Sequence, residues 1–179
     1  MDIKIFFDSQ SIAVIGASGD KSKVGHSLVA NLLDKKGRKI YPVTLNEKEI
    51  LGLPTFTSVL DIPGEVELAI IAVKAEVVPQ ILSDCGRKQI PNAIVISSGF
   101  KEMGRRGKEL EDEISRIAKE QNIALIGPNC LGVIDTKNDF NASFSAQKPL
   151  TGSIAFLSQS GALGTAMIDW AIQEGIGFS

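Results

Sequence analysis

Two stretches of this chain put glycine and serine where a backbone turn could meet an anion. The first, Gly16-Ala17-Ser18-Gly19-Asp20-Lys21-Ser22-Lys23-Val24-Gly25, follows an apolar run and precedes a helical pattern. Glycines let the main chain approach a phosphate closely, and a helix start adds unpaired N–H groups and the positive end of its dipole. Lys21 and Lys23 would place positive charge beside a pyrophosphate, although loop lysines are equally often only solvated. The second stretch is Ser158-Gln159-Ser160-Gly161. There Ser160 can cap the following helix while Ser158 and the helix amides face an anion such as a transferring phosphoryl group, the plainer alternative being a simple N-cap.

Three more turns carry the same residue types: Thr44-Leu45-Asn46, Ser97-Ser98-Gly99 and Gly127-Pro128-Asn129. Any one of them could be an ordinary turn. Their shared position, each just past a β-rich run, favours a binding crevice. The first turn does not have the G-x-G-x-x-G spacing of dinucleotide-binding folds. The next strand ends Tyr41-Pro42-Val43-Thr44 without the acid that would hold an NAD ribose. His26, the single histidine, sits just inside the helix and reads as structural or exposed.

These turns need a scaffold, and the chain supplies one by alternation. Short β-rich runs at 12–15, 40–43, 68–73, 93–96 and 123–126 are separated by helical patterns at 28–33, 77–82 and 110–118. Continuous apolar runs such as Leu68-Ala69-Ile70-Ile71-Ala72-Val73 suit strands covered on both faces, which means a parallel sheet. Right-handed crossovers then wind the series into an α/β, Rossmann-type doubly wound parallel sheet, with ligands at the carboxyl ends of its strands. Residues 135–148 are polar without a clear period, so the boundary is expected there: a first domain over 1–148 and a second unit over 149–179. The second reads as a strand at 153–157, a helix at 161–174 and the opening of another strand at 177–179. A lone strand–helix pair cannot bury its own apolar face, so it is expected to be the start of a truncated second α/β domain.

Composition narrows the function classes. Hydrophobic residues are 44% and charged residues 22%, with a net charge of −2, so a packed core is expected and no field exists to gather nucleic acid or an anionic membrane. No run reaches the length of a membrane helix, and residues 1–10 do not read as an export signal. Cys85 and Cys130 lie in different elements and no cluster has metal-ligand spacing, so a reducing cytoplasm and no metal site are expected.

Taken together, Ser11-Ile12-Ala13-Val14-Ile15-Gly16-Ala17-Ser18, Ser97-Ser98-Gly99-Phe100-Lys101-Glu102, Ile126-Gly127-Pro128-Asn129-Cys130-Leu131-Gly132 and Leu157-Ser158-Gln159-Ser160-Gly161-Ala162-Leu163-Gly164 resemble the NDP-forming acyl-CoA synthetases. More narrowly, they resemble the ADP-forming acetyl-CoA synthetases, relatives of the succinyl-CoA synthetase α subunit. The match runs in order from about residue 11 to the last.

The resemblance implies an acid–CoA ligase that interconverts acyl-CoA, ADP and phosphate with acid, CoA and ATP through an acyl phosphate and a phosphohistidine. It implies that residues 1–148 bind coenzyme A and that 149–179 begin a flavodoxin-like CoA-ligase domain. By position in the motifs, Gly16, Ala17, Ser18, Lys23, Val24 and Gly25 would hold coenzyme A phosphates. Val43, Thr44, Ala72, Val73 and Lys74 would line the nucleotide and upper pantetheine path, and Ser98, Gly99 and Phe100 would flank the pantetheine arm. Asn129 and Cys130 would sit near the thiol and the acyl phosphate, and Ser158, Ser160 and Gly161 would dock the phosphohistidine. Asn129, Ser158, Ser160 and Gly161 are thus the implied catalytic residues. That histidine has no counterpart here, and neither has the ATP-grasp domain. ATP/ADP and magnesium would therefore be bound by another domain or a β subunit, the fragment alone would not turn over, and the full enzyme is expected to be an oligomer.

Two departures from the family pattern bear on the phosphate contacts. The family continues Pro-Val with Asn-Pro-Lys, where this chain has Thr44-Leu45-Asn46, and it commonly has proline where Lys74 stands. Lys74 would restore the lost charge from the neighbouring strand end. Two other readings stay open: a non-catalytic CoA-binding regulatory module, and a nicotinamide-dependent dehydrogenase domain, which the missing acid after Val43 disfavours.

Overall fold

The computed structural model describes residues 4–33 and 37–179. A one-turn helix α1 (Ile5–Asp8) leads into β1 (Ser11–Ile15), α2 (Val24–Leu33) and β2 (Lys39–Val43). A small hairpin of β3 (Glu49–Ile50) and β4 (Leu53–Pro54) precedes β5 (Leu68–Ile71), α3 (Val78–Arg87), β6 (Asn92–Val95), α4 (Arg105–Glu120) and β7 (Ala124–Ile126). The chain continues through β8 (Gly132–Asp135), β9 (Phe140–Ser143), β10 (Leu150–Ile154), α5 (Gly161–Gln173) and β11 (Gly177–Phe178).

Five strands form one parallel sheet in the order β2-β1-β5-β6-β7. Its pleat sorts the apolar residues by parity. Ala13, Ile15, Ala69, Ile71, Ala93 and Val95 face one side, with Val78, Leu82 and Cys85 of α3 and Ile114, Ile117 and Ala118 of α4. Ile12, Val14, Leu68, Ile70 and Ile94 face the other, with Leu28, Val29 and Leu32 of α2. Burial on both faces explains why these strands read as continuous apolar runs. The expected doubly wound α/β sheet is the architecture found. Counted along the sheet its order is 2-1-3-4-5, so connections diverge between β1 and β5 and open a crevice beyond their carboxyl ends.

Three local expectations are corrected. The polar stretch after residue 135 is an ordered hairpin: β8 and β9 pair antiparallel, and Phe140 and Ala142 are buried against the α2 side of the sheet. Its buried polar groups satisfy one another, Ser143 donating to Asn141 Oδ1 at 2.6 Å while Asn31 Nδ2 donates to the Ser143 and Ser145 carbonyls at 2.8 and 3.1 Å. The strand expected at 153–157 lies at Leu150–Ile154 instead and pairs with β11; Phe156 and Leu157 fall in the turn beyond it. The run at 68–73 leaves the sheet after Ile71, which turns Ala72 and Val73 toward the crevice. Among the described residues, no helix is long and apolar enough to cross a membrane.

Candidate functional site

The first turn is built on glycine contacts that no side chain would permit. Gly16 has φ +89°, and a Cβ there would lie 2.2 Å from the Ala72 carbonyl oxygen. A Cβ on Gly25, in the first turn of α2, would lie 2.0 Å from the Gly16 carbonyl oxygen. Strand end, turn and helix start are thereby pressed together at the divergence of β1 and β5. The turn is also wired internally. Asp20 N donates to Ser18 Oγ at 3.1 Å, and Asp20 Oδ1 accepts from Ser22 N at 2.9 Å and Ser22 Oγ at 2.8 Å. Those bonds from Ser22 hold the Asp20 carboxyl below the usual carboxylate range. His26 Nδ1 lies 3.3 Å from the Ser18 carbonyl oxygen.

The donors of this turn are not those that the motif alone suggests. Gly16 N and Ala17 N both donate to the Val43 carbonyl, at 3.0 and 3.3 Å, so they fix the turn to β2 and are not turned toward a ligand. Val43 and Ala17 have buried side chains and support the turn from within, while Ser18 is buried with its hydroxyl 3.3 Å from Glu47 Oε1. Lys23 and Val24 are exposed beside it. Thr44 is half-buried and donates its N–H to the Phe56 carbonyl at 2.9 Å.

Next to this turn the crevice opens into a cavity of about 890 Å³, within the size range of small-molecule and cofactor sites. Val24 lines it from the start of α2, and Ala72, Val73, Lys74, Ser98 and Gly99 line it from the segments just past β5 and β6. Asn129 and Cys130 line it from the loop after β7, and Gly161 from the start of α5. Nine of the residues singled out by sequence therefore share one cavity. Phe100 does not: its side chain is fully buried in the α3/α4 core, because the chain turns it inward to pack under α4. Ser158 and Ser160 stand at the exposed edge. Ser160 Oγ accepts from Leu163 N at 3.3 Å as a true N-cap, and Ser158 Oγ accepts from Ser160 N at 3.0 Å.

Ser97, whose sequence context marks only a turn, is the knot of the site. Its Oγ accepts from Val73 N at 3.1 Å and its carbonyl accepts from Asn129 N at 2.9 Å, so one buried residue ties the ends of β5, β6 and β7 together. Asn129 sits at φ +55°, a left-handed conformation that asparagine tolerates better than most residues. Cys130 Sγ lies 3.4 Å from the Val95 carbonyl oxygen, and burial pushes its thiol up to about 11. Glu102 receives Gly99 N at 2.6 Å and Phe100 N at 3.2 Å. Burial alone would raise the Glu102 carboxyl, but these backbone donors outweigh it and leave the group below its ordinary range.

A glycine-built turn at the divergence of two strands, opening into a cavity lined by Ala72, Ser98 and Gly99 together with Lys74, Leu131 and Phe144, fits a phosphate-bearing cofactor with a long thin arm. Comparison with known proteins agrees. The profile of the CoA binding domain matches residues 10–136, and that of the succinyl-CoA ligase like flavodoxin domain matches 151–179. An ADP-forming acetate–CoA ligase I of Archaeoglobus fulgidus is 47% identical over 97% of this chain and 25% of its own length. The α subunit of ADP-forming acetate–CoA ligase II of Pyrococcus furiosus is 45% identical over 97% of this chain and 38% of its own. The acetyl-coenzyme A synthetase 1 of Ca. Korarchaeum cryptofilum, solved with phosphate and ADP, superposes with a TM-score of 0.94 at 40% identity, covering 99% of this chain and 38% of that one. This chain thus spans a quarter to two fifths of the length of these relatives. The resemblance read from the motifs holds across nearly all of its residues, and the chain belongs to the CoA binding domain family.

Proposed function

We propose that this chain is the coenzyme A-binding portion of an ADP-forming acid–CoA ligase, an enzyme that interconverts acyl-CoA, ADP and phosphate with acid, CoA and ATP. The observation that carries this reading is the Gly25–Gly16–Ala72 stack, which brings the start of α2 against the mouth of the cavity. A diphosphate at that mouth would meet the α2 N-terminus and Lys23, and a pantetheine arm would run past Val73 and Ser98 toward Asn129 and Cys130. Lys74, exposed at the end of β5, would contribute the charge that Asn46 does not.

The arm's thiol would then face a space bounded by the Asn129 loop on one side and the start of α5 on the other. That α5 start, through Gly161 and the Ser160 cap, supplies amides and a dipole end for a phosphoryl group. The phosphorylated histidine, the ATP-grasp domain and its magnesium would come from outside these residues, as a further domain or a β subunit. The full enzyme would be an oligomer working in the cytoplasm. Residues 1–148 would form the coenzyme-binding unit and 149–179 the beginning of the next.

Calorimetric titration with coenzyme A and, separately, with NADH tests the reading. Heat and a raised melting temperature with coenzyme A alone are expected. A folded sample that responds to NADH only, or to neither ligand at millimolar concentration, overturns it.

A further inference from the structure

The first turn already holds an anion, and that anion belongs to the protein. Glu47 lies beyond β2, and its carboxylate reaches across to the turn after β1. Its Oε1 and Oε2 accept from Gly19 N at 2.9 and 3.0 Å, and Ser18 Oγ donates to Oε1 at 3.3 Å. A Cβ at Gly19 would lie 2.3 Å from Glu47 Oε2, so glycine at that position makes room for the carboxylate as it sits. The main chain of Glu47 is held from behind: its carbonyl accepts from the Thr55 hydroxyl, Thr55 N donates to the Lys48 carbonyl at 3.1 Å, and Thr44 N donates to the Phe56 carbonyl.

Glu102 offers the contrast. It bonds to Gly99 and Phe100, within three residues of itself, and so caps its own turn. Glu47 and Gly19 are 28 residues apart, on the loops of two neighbouring strands, and the pair closes one loop over the other. Two oxygens on an amide and a hydroxyl of a glycine turn are the contacts a phosphate would make there.

We propose that Glu47 is an internal competitor for the phosphate site, a specificity-determining carboxylate that a diphosphate ligand must displace from Gly19 and Ser18 before it can seat fully. The inference rests on the reading that this turn receives a diphosphate. One amide cannot serve two anions, and two like charges held side by side repel strongly. Glu47 therefore weakens every ligand that brings phosphate to the turn and leaves ligands without phosphate unaffected.

The test uses the full protein with Glu47→Ala, and with Glu47→Gln to keep the shape of the loop. Coenzyme A and pantetheine, which lacks phosphates, are titrated calorimetrically, and the Gly19 amide is followed by NMR with and without inorganic pyrophosphate. Coenzyme A should bind Glu47→Ala about tenfold more tightly than the native protein, with a smaller gain for Glu47→Gln and no change for pantetheine. The Gly19 amide should shift on substitution alone and shift further with pyrophosphate. Coenzyme A affinity that is equal or weaker in both variants, or a Gly19 amide indifferent to the substitution, overturns the proposal. Should no form bind coenzyme A while pyrophosphate moves Gly19 more in Glu47→Ala than in the native protein, the competitor stands and the coenzyme reading falls.

Discussion

Gly25 packs so closely on Gly16 that a Cβ on Gly25 would lie 2.0 Å from the Gly16 carbonyl oxygen. The obstacle is backbone on both sides, since Gly16 is itself pinned against Ala72, so no side-chain rotation can relieve it. Gly25→Ala should push the start of α2 away from β1, lowering stability by about 2 kcal/mol or more in urea unfolding. Coenzyme A binding should fall further than stability does, because the phosphate end of the site is the part displaced. A variant with native stability and native affinity would mean that the contact does not shape the turn.

Ser97 makes a second separable prediction. Removing its hydroxyl leaves Val73 N–H without its acceptor beside the cavity, and leaves the Asn129 bond to the Ser97 carbonyl in place. Ser97→Ala should therefore cost about 1–2 kcal/mol of stability, the penalty for orphaning one partly buried donor. Hydrogen exchange at Val73 should accelerate while exchange at Asn129 stays near native. Equal acceleration at both would show that Ser97 works through general loosening of the sheet edge.

The contrast between legible and hidden parts of this molecule has a physical basis. Strands β1 and β5 were visible because both faces are covered, so Ile12, Val14, Leu68 and Ile70 on one side and Ala13, Ile15, Ala69 and Ile71 on the other leave no polar position after Ser11. The first turn was visible because close backbone contact demands glycine, and glycine is a strong signal. Glu47 was invisible: a loop glutamate carries no sign of which amide it will find. The β8–β9 hairpin was hidden because Asn141, Ser143 and Ser145 are polar yet buried, satisfied by one another and by Asn31, and no periodicity announces that. Phe100 misled in the opposite sense, a motif residue whose side chain serves the core. Phe156 and Leu157 extended an apolar run past the true end of β10 although they are 43% and 99% exposed.

The hidden hairpin is held by Arg38, whose side chain is only 1% exposed. Its guanidinium donates to the carbonyls of Ser9 at 3.2 Å, Asp139 at 2.8 Å and Asn138 at 3.0 Å, and lies 4.9 Å from the centre of the Phe140 ring. Three divergent carbonyls suit the planar fork of arginine and not the single ammonium of lysine. Arg38→Ala should lower stability by about 3 kcal/mol, and Arg38→Lys should recover only part of that. Full recovery with lysine would mean that charge alone matters there.

The two thiols predict a pH dependence with a definite sign. Burial raises Cys85 from 9.0 to about 12 and Cys130 from 9.0 to about 11. A folded state that disfavours the thiolate binds these protons more tightly than the unfolded chain does. The stability this represents is fully present below about pH 9 and is lost as pH rises through the folded values. Urea midpoints should therefore decline between pH 9 and 11, and Cys85→Val, which keeps an apolar group in the α3 core, should flatten the decline. Alkylation follows the same ordering, since the thiolate is the nucleophile. At pH 8 the folded protein should react slowly at Cys130 and not measurably at Cys85, whereas the unfolded chain reacts at both. Because Cys130 lines the proposed pantetheine end of the cavity, coenzyme A should slow its alkylation further. Protection by NADH but not by coenzyme A would place a different ligand in that space.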